Sequence, residues 1–178
     1  MNIRRLVPGD APAYRALMLH AYAAHPDAYT SGADERAVLP LAWWQARLEE
    51  APEAANIVLG AFHGDALVGV AGLSFASRQK IRHKATLFGM YVSDAARRGG
   101  IGTELVRAAL AAARARPGVT LVQLTVTQGN RAAQSLYERC GFLPYGIEPF
   151  AVAIDDGFVA KLHMWLALPA ITARAAKT

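Results

Sequence analysis

The chain has 178 residues, of which 53% are apolar and 19% are charged, a composition that supplies one hydrophobic core and excludes a largely disordered chain. A single cysteine, Cys140, excludes an internal disulfide and a cysteine-rich metal cage. Nineteen Lys and Arg against fourteen Asp and Glu give a formal net charge of +5, which favours an anionic partner: nucleic acid, a membrane surface or a phosphate-bearing ligand.

Neither a membrane segment nor a signal peptide is predicted. No apolar run reaches the roughly 18 residues that a spanning helix needs, and Pro8 and Asp10 stand where a signal peptide would be apolar. We therefore expect a cytoplasmic protein without membrane association. A single domain is predicted over residues 1–168, followed by a C-terminal tail at residues 169–178.

Hydrophobic periodicity predicts the elements in chain order. The first half is predicted to contain a strand at residues 3–7, a helix at residues 10–22, a helix around residues 43–48, and strands at residues 57–62 and 66–75. The second half is predicted to contain a strand at residues 85–92, a helix from a glycine-rich turn at residues 97–102 to Pro117, a strand at residues 119–127, a helix from Asn130 to Cys140, and strands around residues 150–154 and 158–168. The strand, helix and strand at residues 85–127 should form a right-handed, locally parallel crossover.

The segment from Met90 to Thr103 carries the chemical signal. A buried strand runs into a loop whose glycines allow close approach of a ligand, and the loop feeds the N-terminus of a helix. Free N–H groups and the positive end of the helix dipole converge there, which makes a phosphate site. Arg97 and Arg98 add cationic donors. The alternative is a tight strand-to-helix turn with two solvated arginines.

Two other phosphate loops do not fit these residues. A Walker loop needs a lysine before the Ser or Thr, but Gly102 directly precedes Thr103. A dinucleotide fingerprint follows the first strand of a doubly wound sheet, whereas this loop follows the fourth strand of a mostly antiparallel order.

The spacing Arg97-x-x-Gly100-x-Gly102, followed by the segment from Asn130 to Phe142, resembles the GCN5-related N-acetyltransferase (GNAT) superfamily. The resemblance implies an α/β (α+β) fold. Its central sheet is mixed and mostly antiparallel, with about seven strands flanked by about four helices, and it is splayed between the fourth and fifth strands. The implied function is an acetyl-CoA-dependent N-acetyltransferase that transfers the acetyl group directly to a primary amine of a small molecule or peptide in a ternary complex.

The resemblance also implies a set of site residues. The strand presents backbone groups to the pantetheine arm, a backbone N–H near Met90 or Val92 polarises the thioester carbonyl, and Asn130 bonds the arm. Tyr137, seven residues further on, is the candidate general acid. The expected acetyl-CoA-binding residues are Met90, Tyr91, Val92, Arg97, Arg98, Gly99, Gly100, Ile101, Gly102, Thr103, Asn130 and Tyr137.

The sequence departs from the family pattern at Thr125. Many members carry a glutamate base five residues before the asparagine, and threonine stands there instead. Possible substitutes are His83, Glu148, the pair at residues 155–156, or a water chain. A non-catalytic acyl-CoA-binding module of the same fold is therefore the alternative function.

Neither a metal ion nor a nucleic acid is predicted as a partner. The five histidines show no ligand spacing, so no metal is predicted, and the basic connection at residues 78–84 lacks a nucleic-acid recognition signature. That connection is instead expected near the phosphoadenosine end of CoA. Cys140 is interpreted as a packed thiol, and the oligomeric state is left open between monomer and homodimer. The aromatic and polar candidates for contact with the acceptor are Tyr22, His25, Tyr29, Trp43 and Trp44.

Overall fold

The computed structural model describes residues 1–97, 99–155 and 157–168. Seven strands form one sheet: β1 (Asn2–Arg5), β2 (Asn56–His63), β3 (Ala66–Phe75), β4 (Lys84–Val92), β5 (Leu121–Thr127), β6 (Leu143–Ile154) and β7 (Gly157–Ala167). Five helices accompany it: α1 (Ala11–Ala24), α2 (Ala33–Ala37), α3 (Leu41–Ala46), α4 (Ile101–Ala115) and α5 (Arg131–Arg139). The expected tail at residues 169–178 lies outside the described residues.

The sheet has the strand order β1-β2-β3-β4-β5-β7-β6. Strands β4 and β5 are parallel, and every other neighbouring pair is antiparallel. The predicted mixed, mostly antiparallel sheet of seven strands is thus confirmed, as is the parallel crossover through α4. Among the described helices, none combines the length and apolarity that a membrane crossing demands.

Two elements differ from the sequence prediction. The short helix α2 lies inside the predicted loop, because five residues are too few to show a periodic apolar face. Strand β6 begins at Leu143 rather than near Phe150, since Pro144 and Pro149 look like loop residues in the sequence. An edge strand tolerates prolines and bulges, and the pairing of β6 with β7 shifts register twice.

Both faces of the sheet are covered. Alternate residues of β2 show this directly, because Ile57, Leu59 and Ala61 join the cluster under α4 and α5, whereas Val58 and Phe62 join the cluster under α1 and α3. Burial on both sides explains why β2 reads as a nearly continuous apolar run rather than an alternating one.

The centre of the sheet is splayed. Strands β4 and β5 pair only where Lys84–Thr86 meets Leu121–Gln123, and the rest of β4 runs on without β5. A bulge lies in this free part of β4, since the register with β3 passes from Gly72–Phe88 to Val70–Tyr91. Gly89 occupies the left-handed region there with φ of 59°, a conformation that glycine adopts without strain. The predicted splay between the fourth and fifth strands is confirmed.

Candidate active site

A cleft of about 640 Å³ opens at the carboxyl end of β4, between the start of α4 and one face of α5. It brings together most of the predicted cofactor-binding residues. Its walls are formed by His25, Ala28, Tyr29, Met90, Tyr91, Val92, Ala96, Arg97, Gly100, Ile101, Gly102, Thr103, Asn130, Ala132, Ala133, Leu136 and Arg139.

The start of α4 supplies hydrogen-bond donors to this cleft. Gly100 caps the helix in a left-handed conformation with φ of 77°, and the first intrahelical bond joins the Glu104 amide to the Gly100 carbonyl at 3.1 Å. The N–H groups of residues 101–103 therefore have no carbonyl partner within the helix. A Cβ on Gly102 would stand 3.3 Å from Met90 Cε and 3.4 Å from Leu136 Cδ2, so the close approach of α4, α5 and β4 favours glycine. Gly99 lies in the same loop.

Arg97 is tied into the loop by its own contacts. Its guanidinium donates to the Val92 carbonyl at 3.1 Å, pairs with the Asp94 carboxylate at 2.7 Å and lies 2.9 Å from Nε2 of His25. The expected cation therefore lines the cleft, but Asp94 offsets part of its charge. Arg98 lies outside the described residues.

The β4 wall is joined to the loop after α1. The Tyr29 hydroxyl donates to the Met90 carbonyl at 3.1 Å, next to the bulge. Met90 and Val92 are half-buried along the cleft, while Tyr91 is buried in the core under α1. The loop thus reaches the part of β4 that lacks a neighbouring β5 strand.

The two predicted residues of α5 have different surroundings. Asn130 caps the helix, with its side-chain oxygen accepting from the Ala133 amide at 3.1 Å. Tyr137 is buried, and its ring packs edge-on against Phe142 with centroids 5.9 Å apart. Burial raises the pKa of Tyr137, with a smaller contribution from Cys140, so the phenol is neutral at physiological pH.

A smaller cavity of about 200 Å³ lies between the splayed strands. It shares Tyr29, Met90 and Asn130 with the cleft and is lined in addition by Tyr137, so the two spaces adjoin at these three shared residues. The glycine loop therefore lines one of two adjoining spaces and Tyr137 lines the other.

A family model described as "Acetyltransferase (GNAT) family" matches residues 16–142. This chain belongs to the GNAT acetyltransferase family. The confirmed resemblance accounts for the two motifs that the cleft brings together.

Curated relatives match over most of this GNAT chain. Mycothiol acetyltransferases of Salinispora arenicola and Salinispora tropica are 33% and 31% identical over 145 and 144 residues, respectively. Each match covers 80% of this chain but 44% of the relative. The chain thus spans less than half the length of these relatives.

Solved structures share the whole fold. An acetyltransferase of the GNAT family from Streptococcus pneumoniae is 25% identical with a TM-score of 0.84, over 94% of this chain and 99% of that one. A ribosomal-protein-alanine N-acetyltransferase from Brucella melitensis is 26% identical with a TM-score of 0.81, over 94% and 100%. A putative acetyltransferase from Salmonella typhimurium, solved with its cofactor acetyl-CoA, has the same fold at 23% identity and a TM-score of 0.78, over 100% and 98%.

A third space, called the outer groove below, lies between the loop after α1 and the β6–β7 hairpin of this GNAT chain. This outer groove measures about 520 Å³ and meets the inner cavity at Tyr29 and Thr30. Tyr29 lines all three spaces, and Tyr22 lines the outer groove. Trp44 is buried in the core, and the Trp43 ring contacts the guanidinium groups of Arg36 and Arg47.

The suggested substitutes for the missing carboxylate base are scattered. His83 and Glu148 line none of the three spaces; His83 offers its backbone carbonyl to β5, and the Glu148 carboxylate bonds Nε2 of His163 at 2.8 Å. Asp155 lines the outer groove, and Asp156 lies outside the described residues. Thr125 itself faces the inner cavity.

Cys140 ends α5 in a half-buried position. Burial raises the pKa of its thiol above the ordinary value, which keeps the sulfur protonated and a poor nucleophile. Across the described residues, no group of three or more His, Cys, Asp or Glu side chains is arranged to hold a metal ion.

Sequence reasoning missed two basic residues of these spaces. Arg139 lines the cleft, and it continues the stripe of Ala132 and Leu136 at spacings of four and three, so helical periodicity contained the signal. Lys161 lines the inner cavity. Sequence periodicity does not predict this position, because it depends on the pairing of β7 with β5.

The basic connection at residues 78–84 is not where the sequence argument expected it. It precedes β4, whereas the glycine loop follows β4, and a strand of nine residues separates its ends by roughly 30 Å. The expectation that this connection lies near the phosphoadenosine end of CoA is wrong, because an extended strand holds the two segments apart.

Proposed function

We propose that this chain is an acetyl-CoA-dependent N-acetyltransferase that transfers the acetyl group directly to a primary amine in a ternary complex. One observation carries the proposal: the cleft at the unpaired N–H groups of α4 and the inner cavity that holds Tyr137 share wall residues at the splayed strands, Tyr29, Met90 and Asn130 among them. Membership of the GNAT family supports it.

The donor side of the site suits a thioester of coenzyme A. The N–H groups of residues 101–103 at the helix N-terminus bind its pyrophosphate. Arg97 fixes the loop and Arg139 adds a second cation at the cleft. Beyond Thr86, β4 has no β5 neighbour, so the pantetheine arm can run along this edge beside the side-chain amide of Asn130. The Met90 and Val92 carbonyls already accept from Tyr29 and Arg97, so other backbone groups of residues 90–92 would bond the arm.

The chemistry of transfer is assigned to the inner cavity. Acetyl-CoA supplies an activated acetyl group and a thiolate leaving group. A backbone N–H near Met90 or Val92 stabilises the developing oxyanion, and Tyr137 supplies the proton that the sulfur needs. Because its pKa is raised, Tyr137 holds its proton until the sulfur gains charge. No step uses Cys140.

The acceptor is proposed to enter from the outer groove. That groove meets the inner cavity at Tyr29, so an amine in it reaches the side of the thioester opposite the cleft. The proposed acceptor class is a primary amine of a small molecule or a peptide terminus. The names of the relatives add two specific candidates: the acceptor of mycothiol acetyltransferase and a peptide with an N-terminal alanine.

Two measurements test the proposal. Titration calorimetry with acetyl-CoA should show binding at micromolar ligand, and thiol release across an amine panel should show turnover with at least one acceptor. Absence of binding would exclude both the enzyme and the acyl-CoA-binding module. Binding without thiol release from any amine would favour the module, which the missing glutamate at Thr125 suggests.

A further inference from the structure

Lys161 is the one charged side chain that is buried among the described residues, with 4% of its surface exposed. It lies on β7 directly opposite Thr127 of β5 and lines the inner cavity together with Tyr137 and Thr125. A lysine that is buried in a cavity, away from bulk solvent, calls for a reason beyond solubility.

The hydrogen bonds of Lys161 fix what its nitrogen offers to the cavity. Nζ donates to the Ala28 carbonyl at 3.0 Å and to the Thr127 hydroxyl oxygen at 2.7 Å. The Thr127 hydroxyl donates its own hydrogen to the Asp27 carbonyl at 2.6 Å, so its oxygen is the acceptor in the bond with Lys161. A neutral amine has two N–H bonds, and both are used here, which leaves its lone pair as the remaining function.

The surroundings disfavour the charged form of Lys161. Across the described residues, no carboxylate oxygen lies within ion-pair distance of Nζ. Burial lowers the pKa of Lys161, and the more distant carboxylates of Asp27 and Glu148 oppose that shift only in part.

Other titratable groups near Lys161 are few on each neighbouring element. The loop after α1 contributes Asp27 and Tyr29, α5 contributes Tyr137, and β6 contributes Glu148, which pairs with Lys161 in register. On β7 itself, His163 lies two residues further along, and the parts of β4 and β5 that line the cavity contribute no titratable side chain.

Lys161 stands beside the position where a base is missing. Alternate residues of a strand share a face, so Thr127 and Thr125 of β5 face the same side as Lys161 and His163, their partners on β7. An acceptor amine that enters the inner cavity shares it with both Lys161 and Tyr137. A permanently charged lysine there would repel an incoming ammonium, whereas a neutral one can take its proton.

We propose that Lys161, in its neutral form, is the general base that removes the proton from the acceptor ammonium in the inner cavity. This inference rests on the proposed function. The Lys161 lone pair takes one proton from the ammonium; the freed amine forms the C–N bond, the C–S bond breaks, and the sulfur leaves with its electron pair and takes a proton from Tyr137. The second proton of the new amide nitrogen restores Tyr137 through solvent, and Lys161 releases its proton to solvent, so one proton is set free per turnover.

Kinetics of Lys161→Met test the role, with Lys80→Met, an exposed lysine outside all three spaces, as the matched control. At pH 7 the variant should lose at least tenfold in kcat while its acetyl-CoA Kd stays within about twofold of the wild-type value. The rise of kcat/KM with pH should move toward the ionisation of the free amine, near pH ~10. A kcat within twofold of wild type, or a loss with an unchanged pH profile, would overturn the proposal, since a merely positioning residue gives the latter.

A second measurement uses only the wild-type protein and does not depend on the variant's folding. NMR titration of the Lys161 ε-methylene carbon should give a pKa below the ordinary value of about 10.4, and that pKa should coincide with the ascending limb of kcat/KM. An ordinary pKa, or one that does not match the kinetics, contradicts the assignment. A wild-type chain that turns over no amine would instead count against the proposed function, and the titration would still decide the protonation state of Lys161.

Discussion

The Tyr137 hydroxyl is both the buried group of this side chain and the proposed proton donor. The side chain is 7% exposed, and among the described residues its hydroxyl makes no hydrogen bond, although it borders the inner cavity. A phenol held this way keeps its proton, because the charged form would lose its hydration. Its raised pKa means that the phenol is fully protonated at physiological pH.

Tyr137→Phe removes that proton and leaves the ring packing against Phe142. We expect at least a tenfold loss of kcat with the best amine, and little change in the affinity for acetyl-CoA, because the interaction is made only as the thiolate leaves. Steady-state thiol release and calorimetry measure the two quantities. Tyr145→Phe is the matched control, since Tyr145 is exposed and lines none of the three spaces. Unchanged turnover in Tyr137→Phe would refute the general-acid role.

Among the helices and strands, the first turn of α4 depends on Gly102 in two ways. Gly102 allows the helix to approach Met90 and Leu136 closely, and it leaves the N–H groups of the first turn accessible from the cleft. Both depend on the absence of a side chain.

Gly102→Val should therefore weaken acetyl-CoA binding at least tenfold, because the new side chain meets Met90 and Leu136 and covers the helix N-terminus. Gly9→Val is the control, since a Cβ at Gly9 meets nothing within 4 Å. Calorimetry gives the Kd, and circular dichroism verifies that each variant is folded. Equal Kd values for the two variants would show that the cleft at Gly102 is not the donor site.

The junction of β1 and α1 depends on an ion pair. The Arg4 guanidinium bonds both carboxylate oxygens of Asp10 at 2.7 and 2.8 Å, and the same carboxylate accepts from the Val7 amide at 2.9 Å. The hydrogen bond from Arg4 holds the pKa of Asp10 below its ordinary value, with a smaller effect from Val7 and an opposing one from burial.

Asp10→Asn should lower the free energy of unfolding by about 1 kcal/mol, a modest value because Arg4 is partly exposed. A lowered pKa in the folded state means that the contribution is present above the unfolded pKa of about 3.9 and is lost as pH falls through the folded pKa. Urea unfolding at pH 7 and at about pH 3 measures the difference, which should shrink at the lower pH. Glu50→Gln, an exposed carboxylate, is the control and should change little. An undiminished difference at low pH would contradict the electrostatic account.

In the whole molecule, the pairing between β4 and β5 is the short parallel junction at the centre of the sheet. Strands β4 and β5 pair at three positions only, whereas β5 and β7 pair along seven. Strands β5, β6 and β7 and helix α5 therefore contact the rest of the sheet through few strand pairs. A ligand bound in the cleft would add contacts between these two parts of the chain.

Acetyl-CoA should therefore stabilise the folded chain and slow hydrogen exchange in the free part of β4. At a concentration of about 100 times Kd, linkage predicts a gain near 2.7 kcal/mol, seen as a rise in Tm. Exchange of the amides of residues 87–92 and 101–103 should slow more than exchange in β2. Sodium acetate at the same concentration is the control and should have no effect. A Tm that does not move with acetyl-CoA would exclude donor binding in the cleft.

The sequence predicts those parts of the fold that have a local physical cause. The strand β4, the glycine turn and the helix α4 each follow from periodicity and backbone preference, and the spacing of Asn130 and Tyr137 places both along α5. Strand β6 was predicted too short because Pro144 and Pro149 usually interrupt strands, and only an outer position in the sheet accommodates them.

From the sequence alone, the chain is predicted to form a mixed sheet of the GNAT kind, with a glycine loop that leads into a helix and a tyrosine two turns along a later helix. Which distant segments face the same space is visible only in the folded chain. The loop after α1 meets β4 at Tyr29, and β7 brings Lys161 beside Thr125, because strand pairing joins residues that are far apart in the chain. The positive charges are likewise separated in the folded chain. The basic connection at residues 78–84 lies at one end of β4, and Arg97 of the glycine loop lies at the other end.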